Sequence, residues 1–354
     1  MIQKSHTDTR TSGYIISPAQ DIILLILSPL IGLVLAAPFL HPTFLTTFFN
    51  QTYQISTEGD AKSLIVIMID MLIMAHLFIV FFRSHGNKEI FVLHPIRFIY
   101  IPLGCIVLFT FSHVAAVTAA ILAIWWDVYH SSLQTFGLGR IYDMKAGNQP
   151  TQGRRLDYLL NILLYMGPIF AGASLMPHLE EFYLYNDVSL PELANLADRI
   201  FHFQPEITNI VYWVGTPFVI YYLYSYWRFW QQGYHISWQK VTLLASTATC
   251  SILAWGMNSF GAAFFIMNFF HAVQYFAIVW HFEKKTICNT FQTKRLGLGR
   301  KTGFVLFLLT SFGYGLWTQD IVDTIGLAFA VSITISLMHF WYDGFIWSVR
   351  KKQV

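Results

Sequence analysis

The sequence predicts an all-α, polytopic membrane helix bundle, and three observations carry that expectation. Of 354 residues, 55% are hydrophobic and only 12% charged, with a mean hydropathy of +0.50, well outside soluble globular averages. Several apolar runs approach or exceed the ~20 residues needed to cross a hydrocarbon core. The basic residues, moreover, are spread unevenly among the segments that separate those runs. A net charge of +3 gives no indication of nucleic acid as a partner.

Ten spans are expected, at 21–40, 64–82, 98–112, 114–139, 158–175, 208–226, 241–257, 260–282, 302–317 and 322–347. Two of the divisions need an argument. A helix from Phe98 to Gly139 would be about 63 Å long at 1.5 Å per residue, twice the hydrocarbon thickness, so it is divided at Ser112-His113. The run from Val241 to Phe282 is divided at Gly256-Met257-Asn258-Ser259, which offers a turn. With both divisions, only Lys62 and Arg199 of the 22 basic residues fall on the outer side, as the positive-inside rule requires. The expectation is therefore a single transmembrane domain over 1–354 with about ten transmembrane helices and both termini cytoplasmic. Residues 1–20 form a cytoplasmic tail; they lack a small-residue cleavage site, so 21–40 reads as a first span rather than a signal peptide. The long outer connection, 176–207, contains LPELANLADRIFHF, which reads as an amphipathic helix on the outer surface. His178 and His202 in that connection are expected to be exposed and structural. Cys105, Cys250 and Cys288 lack metal-finger spacing, and the two in apolar runs read as small buried hydrophobes.

Ionisable groups at membrane depth are costly and mark functional sites by default. The stretch FGAAFFIMNFFHAVQYFAIVWHFEKK, from Phe260 to Lys285, carries His271 and Gln274 inside an apolar run and His281 just before Lys284. Three other spans repeat the plan. His76 lies 7 residues before Arg83, His130 lies 10 before Arg140, His271 lies 13 before Lys284 and His339 lies 11 before Arg350. At 1.5 Å per residue these histidines share one stratum, about 10–20 Å from the inner boundary. Asp127 and His130 are i,i+3, His339 and Asp343 are i,i+4, and His271 shares a face with Gln274 and Tyr275. His76, His130, His271 and His339 are the candidate metal ligands, with His281 a further one. Asp127 and Asp343 are candidate ligands or orienting groups, and Gln274 and Tyr275 are expected to line the pocket. Imidazole with carboxylate suits divalent non-haem iron first, then zinc or manganese. His85 and His94 in RSHGNKEIFVLHPIR could cap the site from the cytoplasm. Asp70, six residues before His76, points elsewhere, and His113 falls at the outer turn. Gln134 lies on the His130 face, while Arg140 and Asp143 could pair at the inner surface.

The segments WWDVYHSSLQTFGLGRIYD, NFFHAVQYFAIVWHF and LMHFWYDGFIWSVRKK resemble the bacterial carotene-cleaving membrane family usually called Brp/Blh. Its members are polytopic and use four histidines from different helices to hold one iron. The likeness lies in architecture and histidine usage across most of the chain; the ten spans and the DxxH and HxxxD pairs depart from it. The resemblance implies a non-haem iron dioxygenase of a bacterial inner (plasma) membrane, acting with O2 in carotenoid metabolism. The residues themselves point to a metal-dependent oxygenase or oxidase whose lipophilic substrate enters from the lipid bilayer, with any redox partner left open. Two other classes stay in view. A proton-coupled transporter would relay protons through Asp70, Asp127, His130 and Asp343, but these groups concentrate in the inner half and no inverted repeat is evident. A haem or quinone electron carrier would use paired histidines as axial ligands.

Overall fold

The computed structural model describes residues 13–36, 64–257, 262–293, 295–319 and 326–347. Among them all regular structure is helical and no strand forms. The principal helices are α1 (Ser28–Ala36), α2 (Leu64–Phe78), α3 (Val80–Ser84), α4 (Pro95–Phe111), α5 (His113–Lys145) and α6 (Arg154–Phe170). They continue with α7 (Gln204–Gln231), α8 (Trp238–Ser251), α9 (Ala262–Thr290), α10 (Arg300–Gln319) and α11 (Leu327–Ile346). The Phe98–Gly139 run breaks at Ser112, whose Oγ accepts the Ala115 N–H at 3.3 Å and so caps α5. The second long run breaks after a π-helical stretch, Ile252–Gly256.

Helix occupies each of the ten expected segments in whole or part, yet few qualify individually as membrane spans. By length and composition α5, α9 and α11 are long and apolar enough to cross a membrane; there are up to five such spans if each of two bent pairs counts as one. Local causes explain the shortfall. The helix over α2 is interrupted at Ile79 and resumes as α3, and α4 has only 17 residues. Arg154, Arg155 and Asp157 open α6, and the chain turns by 98° after it. Helices α7, α8 and α10 dilute their apolar residues with tyrosine, threonine, serine and glutamine. Residues 1–12 and 348–354, on which the expectation of two cytoplasmic ends rests, lie outside the described residues, as do 37–40 and 322–325 of the first and last expected spans.

The connection after α6 departs from its expected form. Instead of one surface helix it makes a 3-10 stretch, Glu180–Val188, and two short helices, Pro191–Ala194 and Leu196–His202. These fold back on α5, where Tyr185 and Ala194 pack with Val117 and Ile121, and the Tyr185 hydroxyl meets Thr118 Oγ1 at 3.2 Å. His178, expected to be exposed, is fully buried against Phe264, with ring centroids 4.3 Å apart.

Helix α9 sits at the centre, against α1, α2, α5 and α10, while α11 packs on α2, α4 and α5. The contact between α2 and α10 is made backbone to backbone. A Cβ on Gly315 would lie 2.3 Å from the Met71 carbonyl oxygen, so only glycine permits that approach. Together these packings bring α2, α5, α9 and α11, the four histidine-bearing helices, around a common interior.

Candidate metal centre

His76 of α2, His130 of α5, His271 of α9 and His339 of α11 are all buried. His271 and His339 stand across from each other with ring centroids 6.3 Å apart. His76 lies 5.1 and 5.0 Å from these two, and His130 lies 4.9 and 4.7 Å from them. Half of the 6.3 Å separation is about 3.2 Å, which matches a metal–nitrogen bond of ~2.1 Å plus the radius of the imidazole ring. The space between His271 and His339 therefore suits an ion, and the rings of His76 and His130 flank it.

The hydrogen bonding around these rings is incomplete. His76 Nδ1 donates to the Ile73 carbonyl, which fixes the tautomer and leaves the Nε2 lone pair for another partner. His76 Nε2, His130 Nε2 and both nitrogens of His271 and His339 are buried without a hydrogen-bond partner. Each unmet buried polar atom costs ~1–3 kcal/mol. Ligand atoms of His76, His271 and His339 lie within 4.8 Å of one another, as do those of His130, His339 and Asp343, so His339 belongs to both triads.

Asp343 is held by its other oxygen. Oδ1 accepts from the Tyr275 hydroxyl at 2.6 Å and from Trp347 Nε1 at 2.9 Å, leaving Oδ2 at 3.7 Å from His130 Nε2. Behind this group lies a buried cation that the sequence marks only as a basic helix end. Arg83 stacks on Trp347 at 3.8 Å, donates Nε to the Ile346 carbonyl at 3.0 Å and pairs with Glu283. Glu283 also accepts from Asn87 Nδ2, at 3.1 Å through Oε2. The sole sequence signal for this group is an acid, Glu283, placed directly before two lysines.

Several expected site residues stand elsewhere. Asp127 does not turn to His130; it is hydrogen-bonded to Asn268. Gln274 ties α9 to the start of the chain instead of lining a pocket. Its Nε2 donates to the Leu25 carbonyl at 2.7 Å, and its Oε1 accepts from Gln134 Nε2 at 2.8 Å. Gln134 Nε2 also reaches the His271 carbonyl at 3.2 Å. His281 comes ten residues, or about 15 Å, after His271 along α9, and lines a different groove with Lys284. The loop histidines do not cap the cluster. His85 engages Ser84 Oγ at 2.9 Å and the Phe98 carbonyl at 3.0 Å, and burial holds it below the usual histidine range. His94 packs on Phe345, centroids 4.8 Å apart. Asp70 is half-buried on α2, two turns before His76.

Arg140 and Asp143 do pair, at 2.7 Å, but in a buried group rather than at a surface. Asp157 and Lys240 complete that group: Arg140 lies 2.5 Å from Asp157, and Lys240 lies 2.8 Å from each acid.

A narrow cleft of 120 Å³ reaches the histidine cluster between α5, α9 and α11. His130, Gln134, Tyr275 and Asp343 form its polar wall; Leu133, Ile141, Ile278 and Phe340 are among its apolar residues, with Gly137 and Gly344. A Cβ built on either glycine meets nothing within 4 Å. Neither glycine is needed for close helix packing, and each costs its helix ~1 kcal/mol relative to alanine. What they provide is open space.

Comparison with protein-family models, with curated proteins and with solved structures finds no match for this chain.

Proposed function

We propose that this chain is a membrane-embedded, metal-dependent enzyme: a non-haem iron oxygenase or oxidase that acts with O2 on a lipophilic substrate such as a carotenoid or another lipid. One observation carries the reading: among the described residues, six imidazole nitrogens on four buried, clustered rings have no hydrogen-bond partner. Nitrogen ligands with one adjoining carboxylate and no thiolate suit iron(II), with zinc or manganese as the other candidates. Bound iron would supply redox chemistry with dioxygen.

The chain's own residues orient and enclose. Ile73 holds the His76 ring with Nε2 free, and Tyr275 with Trp347 pins Asp343 so that Oδ2 is kept for the ion or for a proton at His130. The cleft beside Gly137 and Gly344 admits a slender apolar chain to His130 and Asp343 while its walls exclude water. Ring centroids 4.7–5.1 Å apart leave no slot for a porphyrin among the four histidines, which favours a bare ion over a haem carrier. Clustering at one point also favours an enzyme over a proton relay strung across the bilayer.

Three to five helices are long and apolar enough for membrane crossing. The distribution of basic residues supports extending that to about ten spans with both ends cytoplasmic, the shorter and more polar helices being shielded by their neighbours. The resemblance to the carotene-cleaving family fits the same placement, in an inner (plasma) membrane.

Metal analysis of detergent-purified protein tests the proposal. The expected result is about one iron per chain in the wild type, as a single centre of this donor set requires, no Soret band, and background metal in His271→Ala and His339→Ala. Iron content left unaltered by both substitutions would remove the enzyme reading.

A further inference from the structure

A second and larger groove, of 960 Å³, runs between the N-terminal segment, α9 and α10. Its size is at the upper end of the ~300–1,000 Å³ of small-molecule sites. The lining changes character along its length. Leu72, Phe276, Leu308 and Phe312 make the body apolar, whereas His281, Lys284, Arg300 and Lys301 are gathered at one end. The gradient has a simple geometric origin. Helix α9 runs from Val273 through Phe276 to Lys284, and α10 starts at Arg300 and runs on through Phe304 to Phe312. The connection between them reverses the chain, so Lys284, in the C-terminal part of α9, lies beside the basic start of α10.

Among the described residues no ion pair includes Lys284, Arg300 or Lys301. The nearby carboxylates are already committed: Glu283 to Arg83 and Asn87, and Asp21 to the backbone N–H groups of Ile15, Ile16 and Ser17 and to the Tyr142 hydroxyl. Arg300 and Lys301 also stand on the first turn of α10, where positive charge opposes the helix dipole. An unpaired basic cluster at one end of a long apolar groove is complementary to an amphiphile with an anionic head.

The geometry points to a site for one anionic phospholipid of the inner leaflet, its phosphodiester against Lys284, Arg300 and Lys301 and an acyl chain along Phe276, Leu308 and Phe312. This inference rests on the membrane reading and is independent of the metal. Basic pockets between helices on the cytoplasmic side bind lipid headgroups in this way. Residues 1–12 are a poor alternative occupant, since MIQKSHTDTRTS is polar and carries Lys4 and Arg10 against Asp8 alone. A lipid seated here would clamp α9, which carries His271, against α10.

The test uses the full chain in detergent and in nanodiscs, with phosphatidylglycerol and phosphatidylcholine of the same acyl chains as probes. Bound lipid is read by native mass spectrometry and by the shift in melting temperature. Wild type should retain phosphatidylglycerol in preference to phosphatidylcholine. The triple variant Lys284→Gln, Arg300→Gln, Lys301→Gln should bind phosphatidylglycerol about a hundredfold more weakly, with iron content unchanged. Leu308→Trp, which fills the groove and keeps every cation, should lose the lipid as well. The proposal is overturned if wild type holds both lipids equally or neither. Retention of phosphatidylglycerol by either variant also overturns it, as does stabilisation by inorganic phosphate equal to that by the lipid. Alkaline carbonate extraction of cell membranes reads the membrane placement separately, so failure there is distinguishable from failure of the lipid site.

Discussion

Around Lys240, Asp143 and Asp157 take three and four side-chain partners respectively, whereas among α2, α5, α9 and α11 six imidazole nitrogens have none. Both groups are buried and polar, so both carry a desolvation cost. In the first, the protein offsets that cost itself. Arg140 and Lys240 balance the two acids, and the hydroxyls of Tyr222, Tyr226 and Tyr234 fill the remaining acceptor positions. Only Arg140 Nε in that group is left without a partner. The members come from α5, α6, α7, α8 and the turn before α8, so the group joins those helices and is explained by folding alone. Among the described residues nothing completes the histidine cluster. A finished polar cluster reads as structure, and an unfinished one reads as a place for a ligand.

The contrast can be broken most forcefully at Asp157. Removing one partner from a buried ion group costs ~3–5 kcal/mol, so Asp157→Asn should lower the melting temperature sharply while iron per folded chain stays at the wild-type level. Loss of iron without loss of stability would reverse the two assignments.

A smaller effect, of opposite sign, is expected at the histidine cluster in metal-free protein. There His339→Leu replaces two unpartnered nitrogens by apolar atoms, and each such atom costs ~1–3 kcal/mol. The chelated variant should therefore melt no lower than chelated wild type, while added iron should stabilise the wild type only. A chelated variant that melts well below chelated wild type would show that the rings are held by interactions inside the protein.

The smallest change in stability is expected at the cleft. Gly137→Leu and Gly344→Leu meet no neighbouring atom at Cβ, and leucine is the better helix former by ~1 kcal/mol. Both variants should fold and bind iron as the wild type does, yet fail to turn over a lipophilic substrate. Undiminished turnover in both would mean that substrate reaches the centre by another route.

Much of this was legible from residue order. Apolar runs locate the helices, Ser112 marks a break because its side chain caps the next helix, and counting at a fixed rise per residue puts His76, His130, His271 and His339 at one depth. Rise along a helix is set by backbone geometry, which the sequence carries whatever the neighbours do. The number of qualifying spans was less legible, because it depends on where bends, short helices and polar dilution fall.

Which way each face turns was decided only by the tertiary structure. Asp127 shares a face with His130 by spacing yet meets Asn268, while Asp343, also one turn from its histidine, faces the cluster. Gln274 follows His271 by three residues and is taken up by Leu25 and Gln134; His281 and Lys284 face α10 across a separate groove. Arg83, a basic helix end by composition, is drawn inside by Glu283 and Trp347. Local order determines depth and helical phase within one segment. The rotation of that segment against its neighbours, and hence which polar atoms meet and which are left for a ligand, follows from packing between residues as far apart in the chain as His76 and His339.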